Sequence, residues 1–188
     1  SLDVSSWDTS SVANISAMFS GCTLLQAVDL SSIDTSSVTN MSSLFEGCES
    51  LRALDLSSFD TSKVEDMSQM FQGCSSLTKL DLSSFNTSKV RNMLYMFGNC
   101  ERLKSVNLSS FDTKNVACFE SMFSGCSALE SLDLSNFNTS HAVGSALSRM
   151  FQGCSSLKSL DVSSFDTSRI TDFSSMFSGC DSLKSLDL

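Results

Sequence analysis

A parallel α/β solenoid is the fold class this sequence predicts, and three regularities predict it. Cysteine recurs at Cys22, Cys48, Cys74, Cys100, Cys126, Cys154 and Cys180, at steps of 26 residues apart from one step of 28 between Cys126 and Cys154. Around each cysteine the apolar residues keep the same places, which in the clearest copy are Leu51, Leu54, Leu56, Phe59, Val64, Met67, Met70, Phe71 and Cys74. The segment from Val64 to Phe71 spaces those residues at helical intervals. A fixed period in this range marks an array whose units bury their apolar faces only against one another. Residues 1–188 therefore read as one domain of seven copies.

Each element of the unit follows from its residues. Leu51, Leu54 and Leu56 form L-x-x-L-x-L, and Asp55 alternates with the last pair as in a short strand with one buried face. The expectation is eight parallel strands, from Leu2–Val4 through the equivalent triplets to Leu186–Leu188. Val64, Met67, Met70 and Phe71 fall at i, i+3, i+6 and i+7, which predicts a return limb of short helix. Asp60, Thr61 and Ser62 supply oxygens to cap its start. Gly21, Gly47, Gly73, Gly125, Gly153 and Gly179 close it, with Asn99 in the fourth copy. Asparagine is the usual second choice at positive φ, so this position is expected to need left-handed backbone.

The unit LxxLDLSxFDTSxVxxMxxMFxGCSx resembles the 26-residue bacterial-surface-protein class of leucine-rich repeats, the BspA-like repeats, along essentially the whole chain. The resemblance implies a right-handed array with a parallel sheet on one face and short helices on the other. It also implies a cell-surface or secreted bacterial protein connected with adhesion, and it carries over no catalytic residue. Ser1–Val4 and Leu186–Leu188 both fall inside expected strands, so the reading expects a fragment of a longer protein without its terminal caps.

With 41% hydrophobic and 18% charged residues, the chain is apolar enough to bury a continuous core and too apolar for disorder. No segment approaches the ~18 apolar residues of a membrane span, so direct membrane insertion by this segment is not expected. The net charge of −9 is concentrated in two repeat positions. A strand column holds Asp3, Asp29, Asp55, Asp81, Asn107, Asp133, Asp161 and Asp187, and a turn column holds Asp8, Asp34, Asp60, Asn86, Asp112, Asn138 and Asp166. Asp and Asn exchange in the turn column, which suits an acceptor of backbone hydrogen bonds.

The strand column, from Asp29, Asp55, Asp81 and Asn107 to Asp133 and Asp161, is the candidate ligand-binding face. Unit charges at ~4.8 Å repel by about 0.9 kcal/mol even in the dielectric of water. Hydroxyls such as Ser57, Ser83 and Ser109, water and screening offer one compensation; a bound cation and a basic protein partner are the alternatives.

The repeated cysteines read as small core residues, ahead of disulfides and of a metal site, since His141 is the only histidine. Cys118 replaces Asp66 and Asn92 in its column and is expected to be an exposed thiol. No Ser/His/Asp set, phosphate loop or metalloprotease motif appears, so no enzyme, cofactor or metal is expected. The basic cluster of Lys79, Lys89, Arg91, Arg102, Lys104 and Lys114 reads as solvated surface, and an acidic sheet does not suit nucleic acid. The 28-residue step places His141, Val143 and Gly144 in a variable loop near the expected helix start. The sequence thus points to a non-catalytic module for a protein or glycan ligand, with a passive spacer or stalk as the alternative.

Overall fold

The computed structural model describes residues 4–187. The chain winds into stacked coils of one repeat each, joined by parallel backbone hydrogen bonds between residues about one period apart. Two pairs of short parallel strands form: β1 (Lys79–Asp81) with β2 (Ser105–Asn107), and β3 (Ser159–Asp161) with β4 (Ser185–Asp187). Each starts one residue earlier than its expected triplet. The triplets at Val28, Leu54 and Leu132 form no strand, and Leu2, Asp3 and Leu188 lie outside the described residues. Leu80 points inward, while Lys79 and Asp81 are exposed, so the expected alternation holds.

The helical limb is not there, and the α/β reading of the fold is overturned: among the described residues there is no helix. The limb from Val38 to Cys48 shows what replaces it. The N–H groups of Met41, Ser43, Phe45 and Gly47 donate to the carbonyls of Asp66, Ser68, Met70 and Gln72 in the next coil at 2.7–3.0 Å. Those of Leu44, Glu46 and Cys48 donate within the coil, three residues back, at 3.0–3.3 Å. The limb is a run of tight turns whose alternate donors join neighbouring coils. An α-helix is excluded physically. It is about 10 Å wide and spends its donors internally, whereas these coils stack at roughly strand spacing.

Two columns of residues enter the left-handed region, joined by Gly144 in the coil with the insertion. The first column is Ala17, Ser43, Gln69, Tyr95, Ser121, Arg149 and Ser175, at φ +52° to +58°. The second is the glycine column at +68° to +76°, with Asn99 at +58°. Positive φ at the glycine/asparagine position is as expected, but it closes a turn from Phe45 to Cys48 instead of capping a helix. The spacing of Met67, Met70, Phe71 and Cys74 fits turns closed every three residues as well as it fits a helix.

Inside the coils the apolar columns form a continuous core. Phe19, Phe45, Phe71, Phe97, Phe123, Phe151 and Phe177 stack with ring centroids 5.3–5.9 Å apart and planes within 9°. A buried polar column runs beside it. The hydroxyl of Thr87 donates to the Asp112 carbonyl at 2.9 Å and accepts the Asp112 N–H at 2.8 Å. Thr35, Thr61 and Thr113 make the same double bond to the coil that follows. Each of these threonines therefore acts as a fixed crosslink between coils in a site closed to water.

Two stability predictions follow from this backbone. Thr87→Val leaves the Asp112 N–H and C=O without partners and is expected to cost about 2 kcal/mol or more, whereas Thr87→Ser keeps both bonds and costs about 1 kcal/mol. Urea unfolding of the two variants measures the gap, and equal costs would assign the column to packing alone. At φ +72°, Gly73→Ala is expected to destabilise by about 1 kcal/mol and Gly73→Asn by less. Equal damage from both would point to the packing of Gly73 on Gly47 instead.

Candidate functional site

Asp29, Asp55, Asp81, Asp133 and Asp161 of the strand column each turn back onto their own chain. The Ser57 N–H donates to Asp55 Oδ1 at 2.9 Å, Ser83 to Asp81 at 3.0 Å, Ser135 to Asp133 at 3.0 Å and Ser163 to Asp161 at 2.9 Å. Ser31 does the same for Asp29 at 3.0 Å, and Ser109 for Asn107 at 3.2 Å. These are Asx turns, which end the extended segment by offering its next N–H a side-chain acceptor. The Ser57 N–H, and next its hydroxyl, hold the Asp55 carboxyl below its ordinary value; Ser83 and Ser135 do likewise for Asp81 and Asp133. At Asp161 the Ser163 hydroxyl, 2.6 Å away, is the larger cause.

The turn column works in the same way. Ser62 donates to Asp60 and Ser168 to Asp166, both at 2.9 Å, while Asn86 and Asn138 accept equivalent bonds from Ser88 and Ser140. The exchange of Asp with Asn thus has the structural basis the sequence suggested. A third Asx column went unread. Asn14, Asn40, Asp66 and Asn92 accept from Ser16, Ser42, Ser68 and Leu94 at 2.8–3.1 Å, and Asp172 accepts from Ser174 at 2.7 Å. Its signal is present as Asp-x-Ser or Asn-x-Ser, three times in the clearest repeat: Asp55 to Ser57, Asp60 to Ser62 and Asp66 to Ser68.

On the strand face a groove of about 660 Å³ crosses the first coils, lined by Ala27, Val28, Asp29, Ser31, Asp55 and Ser57 among others. Asp29 and Asp55 are thereby brought to one concavity. The structure does not bring the strand column together with the insertion, which lies in the return limb. There, residues 143–146 replace the two residues Ala117 and Cys118 of the preceding coil, and the Ala146 N–H closes a turn on the Val143 carbonyl. The line of bridges Asn14↔Asn40↔Asp66↔Asn92↔Cys118 stops here and resumes at Gly144↔Ile170. His141 and Val143 are exposed, and Gly144 has φ +63°.

The cysteines are core groups. Cys48, Cys74, Cys100, Cys126 and Cys154 are buried and free, and each thiol donates to the carbonyl of a phenylalanine one coil back at 3.1–3.2 Å. Burial pushes the Cys48 thiol up to about 11 and Cys154 to about 12, so neither forms a thiolate near neutrality. Cys22 is exposed and Cys180 half-buried, because the outermost described coils are covered on one side only. Cys118 is half-buried, not fully exposed as expected, and burial raises its thiol. Among the described residues no three His, Cys, Asp or Glu side chains gather into a metal-binding group. No helix of the described residues is long and apolar enough to cross a membrane.

Residues 1–106 and 96–187 each match the family described as "Mycoplasma protein of unknown function, DUF285". The chain belongs to this family. Its two overlapping matches agree with the internal repetition; the finer kinship with bacterial-surface leucine-rich repeats is a reading of the motif. No curated protein and no solved structure gives a match.

The pH behaviour of the Asx columns follows from the direction of the shifts. Carboxyls held low in the folded chain stabilise it fully above their unfolded value, near ~3.9, and lose that contribution as pH falls through the lower folded values. Stability is therefore expected to be flat from about pH 8 to 5 and to fall below about 4. Asp81→Asn, which keeps the acceptor as Asn107 does, is expected to leave the melting temperature at pH 7 nearly unchanged and to reduce the acid loss. Melting curves from pH 2.5 to 8 test this. A stabilisation by millimolar calcium that sodium chloride at matched ionic strength does not give, and that Asp81→Asn removes, would assign the column to a cation.

Proposed function

We propose that the chain is a non-catalytic interaction module, displayed on the cell surface or secreted, which offers its strand face and adjoining edge to a protein or glycan ligand. The observation that carries this reading is the open groove across Asp29 and Asp55. Its walls combine carboxylates, serine hydroxyls and the apolar surface of Ala27 and Val28. That mixture suits a hydroxyl-rich or basic ligand, which donates hydrogen bonds to the carboxylates and makes apolar contact with Ala27 and Val28. The motif resemblance supports the location and the adhesive role.

A passive spacer is the second reading, favoured by a specific observation. The same Oδ1 atoms that would meet a ligand are already spent on Asx turns in coil after coil. The two readings separate cleanly because Asp→Asn removes the charge and retains the turn. Screening the chain against matrix proteins and glycans identifies a binder; the double variant Asp29→Asn/Asp55→Asn is then expected to weaken it by about tenfold, with the melting temperature little changed. Absence of any binder, or binding indifferent to the double variant, favours the spacer.

A further inference from the structure

Among the described residues one buried side-chain N or O atom lacks a hydrogen-bond partner, the hydroxyl of Ser121. A hydroxyl taken from water and left unpaired costs its full desolvation, so a chain that keeps one in an interior coil calls for a reason. Ser121 belongs to the column at φ +52° to +58°, between Tyr95 of the coil before and Arg149 of the coil after. Backbone bonds pin all three places: the N–H groups of Tyr95, Ser121 and Arg149 donate to the carbonyls of Glu120, Ser148 and Ser174 at 3.0 Å. Ser43, in the same column between Ala17 and Gln69, is only half-buried, so the long neighbours are what close Ser121 off from water.

Both neighbours depart from the rest of the column, in which Tyr95 is the one aromatic and Arg149 the one charged residue. A Cβ at Gly98 would meet Tyr95 Cδ1 at 2.7 Å, so this glycine makes room for the ring against the limb. Glu46, Gln72, Ser124 and Gln152 hold the equivalent place in other coils. The ring is thus kept in one orientation and half-buried. On the other side the guanidinium of Arg149 reaches back to Glu120 Oε1 at 3.4 Å, with both side chains open to solvent. A long, exposed pair of this kind adds little stability, and its guanidinium is available to a better-placed carboxylate.

We infer that Tyr95, Ser121 and Arg149 form a subsite for an acidic saccharide, a sugar that bears a carboxylate. The ring gives an apolar face to the C–H face of the sugar, the Ser121 hydroxyl exchanges hydrogen bonds with a sugar hydroxyl, and the guanidinium takes the carboxylate in place of Glu120. That exchange moves the guanidinium and opens Ser121 to the ligand. Tyr95 and Arg149 stand two coils apart, ~10 Å by strand spacing, which the reach of an arginine side chain shortens to the length of one such sugar. An acidic peptide would engage the guanidinium and leave the ring and the hydroxyl idle. The subsite lies on the return limb, not on the strand face, and stands or falls separately from the groove over Asp29 and Asp55.

Titration with oligosaccharides of galacturonic, glucuronic and sialic acid, followed by calorimetry and by the ring signals of the single tyrosine, tests this. At least one is expected to bind and shift the Tyr95 signals, with its methyl ester weaker by about tenfold or more. Tyr95→Ser, Arg149→Gln and Ser121→Ala each introduce a side chain that the column already holds, at Ser43, Gln69 and Ala17, so the fold is kept. The first two should each lose about tenfold in affinity. Ser121→Ala should lose about threefold while raising the melting temperature by about 2–4 °C, because it removes an unpaired hydroxyl. A merely structural residue would not move the two in opposite senses. Glu120→Ser, as at Ser68 and Ser148, frees the guanidinium and should tighten binding about threefold. No binding by any of the three at millimolar concentration overturns the inference. So does equal binding of the methyl ester or of a polyglutamate peptide, an affinity unchanged by Tyr95→Ser or Arg149→Gln, or a lower melting temperature for Ser121→Ala.

Discussion

Everything in this molecule depends on where the alternate N–H groups of the return limb go. They cross to the next coil, and that single destination fixes the rest. It holds the coils at roughly the separation of paired strands, which no α-helix can occupy. It leaves only every second donor for bonds within the coil, so the limb closes as consecutive tight turns. Those turns place two columns of residues at positive φ. Aligned coils in turn put identical side chains over one another, and columns of phenylalanine, threonine and cysteine become continuous lines of contact instead of isolated rungs. The core is a consequence of backbone pairing as much as of hydrophobic patterning.

Much of this was legible. The period, the apolar positions and the inward and outward alternation around Leu80 came directly from repetition, since seven copies compared with one another show which positions tolerate exchange. Asn99 among glycines marked left-handed backbone, and Asn86 and Asn138 among aspartates marked an acceptor whose charge is dispensable. The limb was misread because apolar residues three and four apart satisfy a helix and a run of three-residue turns alike. The residue that distinguishes them is the other positive-φ column. It is occupied by Ala17, Ser43, Gln69, Tyr95 and Arg149, side chains that carry no sign of such backbone. Local sequence cannot report a conformation that is imposed by the neighbouring coil.

The polar residues show the same division. Thr61 looked like part of a helix start, and its role as a buried crosslink depends on a partner 25 residues away in Asn86. The candidate binding face was located as a column but not in its chemistry. Asp55 and Asp81 were expected side by side on an open sheet, their repulsion offset first by hydroxyls such as Ser57 and Ser83, water and screening; the hydroxyls do contribute, but after the main chain. Each has the N–H of that same serine directed at one carboxylate oxygen, a charge-assisted bond that favours the ionised form locally. Compensation is built into every coil and does not have to be supplied from outside.

That arrangement bears on what a surface of this kind can recognise. A residue fixed by an Asx turn presents its second carboxylate oxygen in a constant orientation, repeated at the spacing of the coils. Its neighbours Ser57, Ser83 and Ser135 present main chain and hydroxyl equally regularly. Regularity of this order suits a ligand with its own repeat, or no ligand at all. Discrimination needs a break in the pattern, and the breaks are few: Asn107 in the strand column, the Val143–Ala146 turn that interrupts the bridges, and the groove over the first coils. Specific recognition, where it occurs, has to draw on those irregular places, while the repeated aspartates contribute orientation and charge.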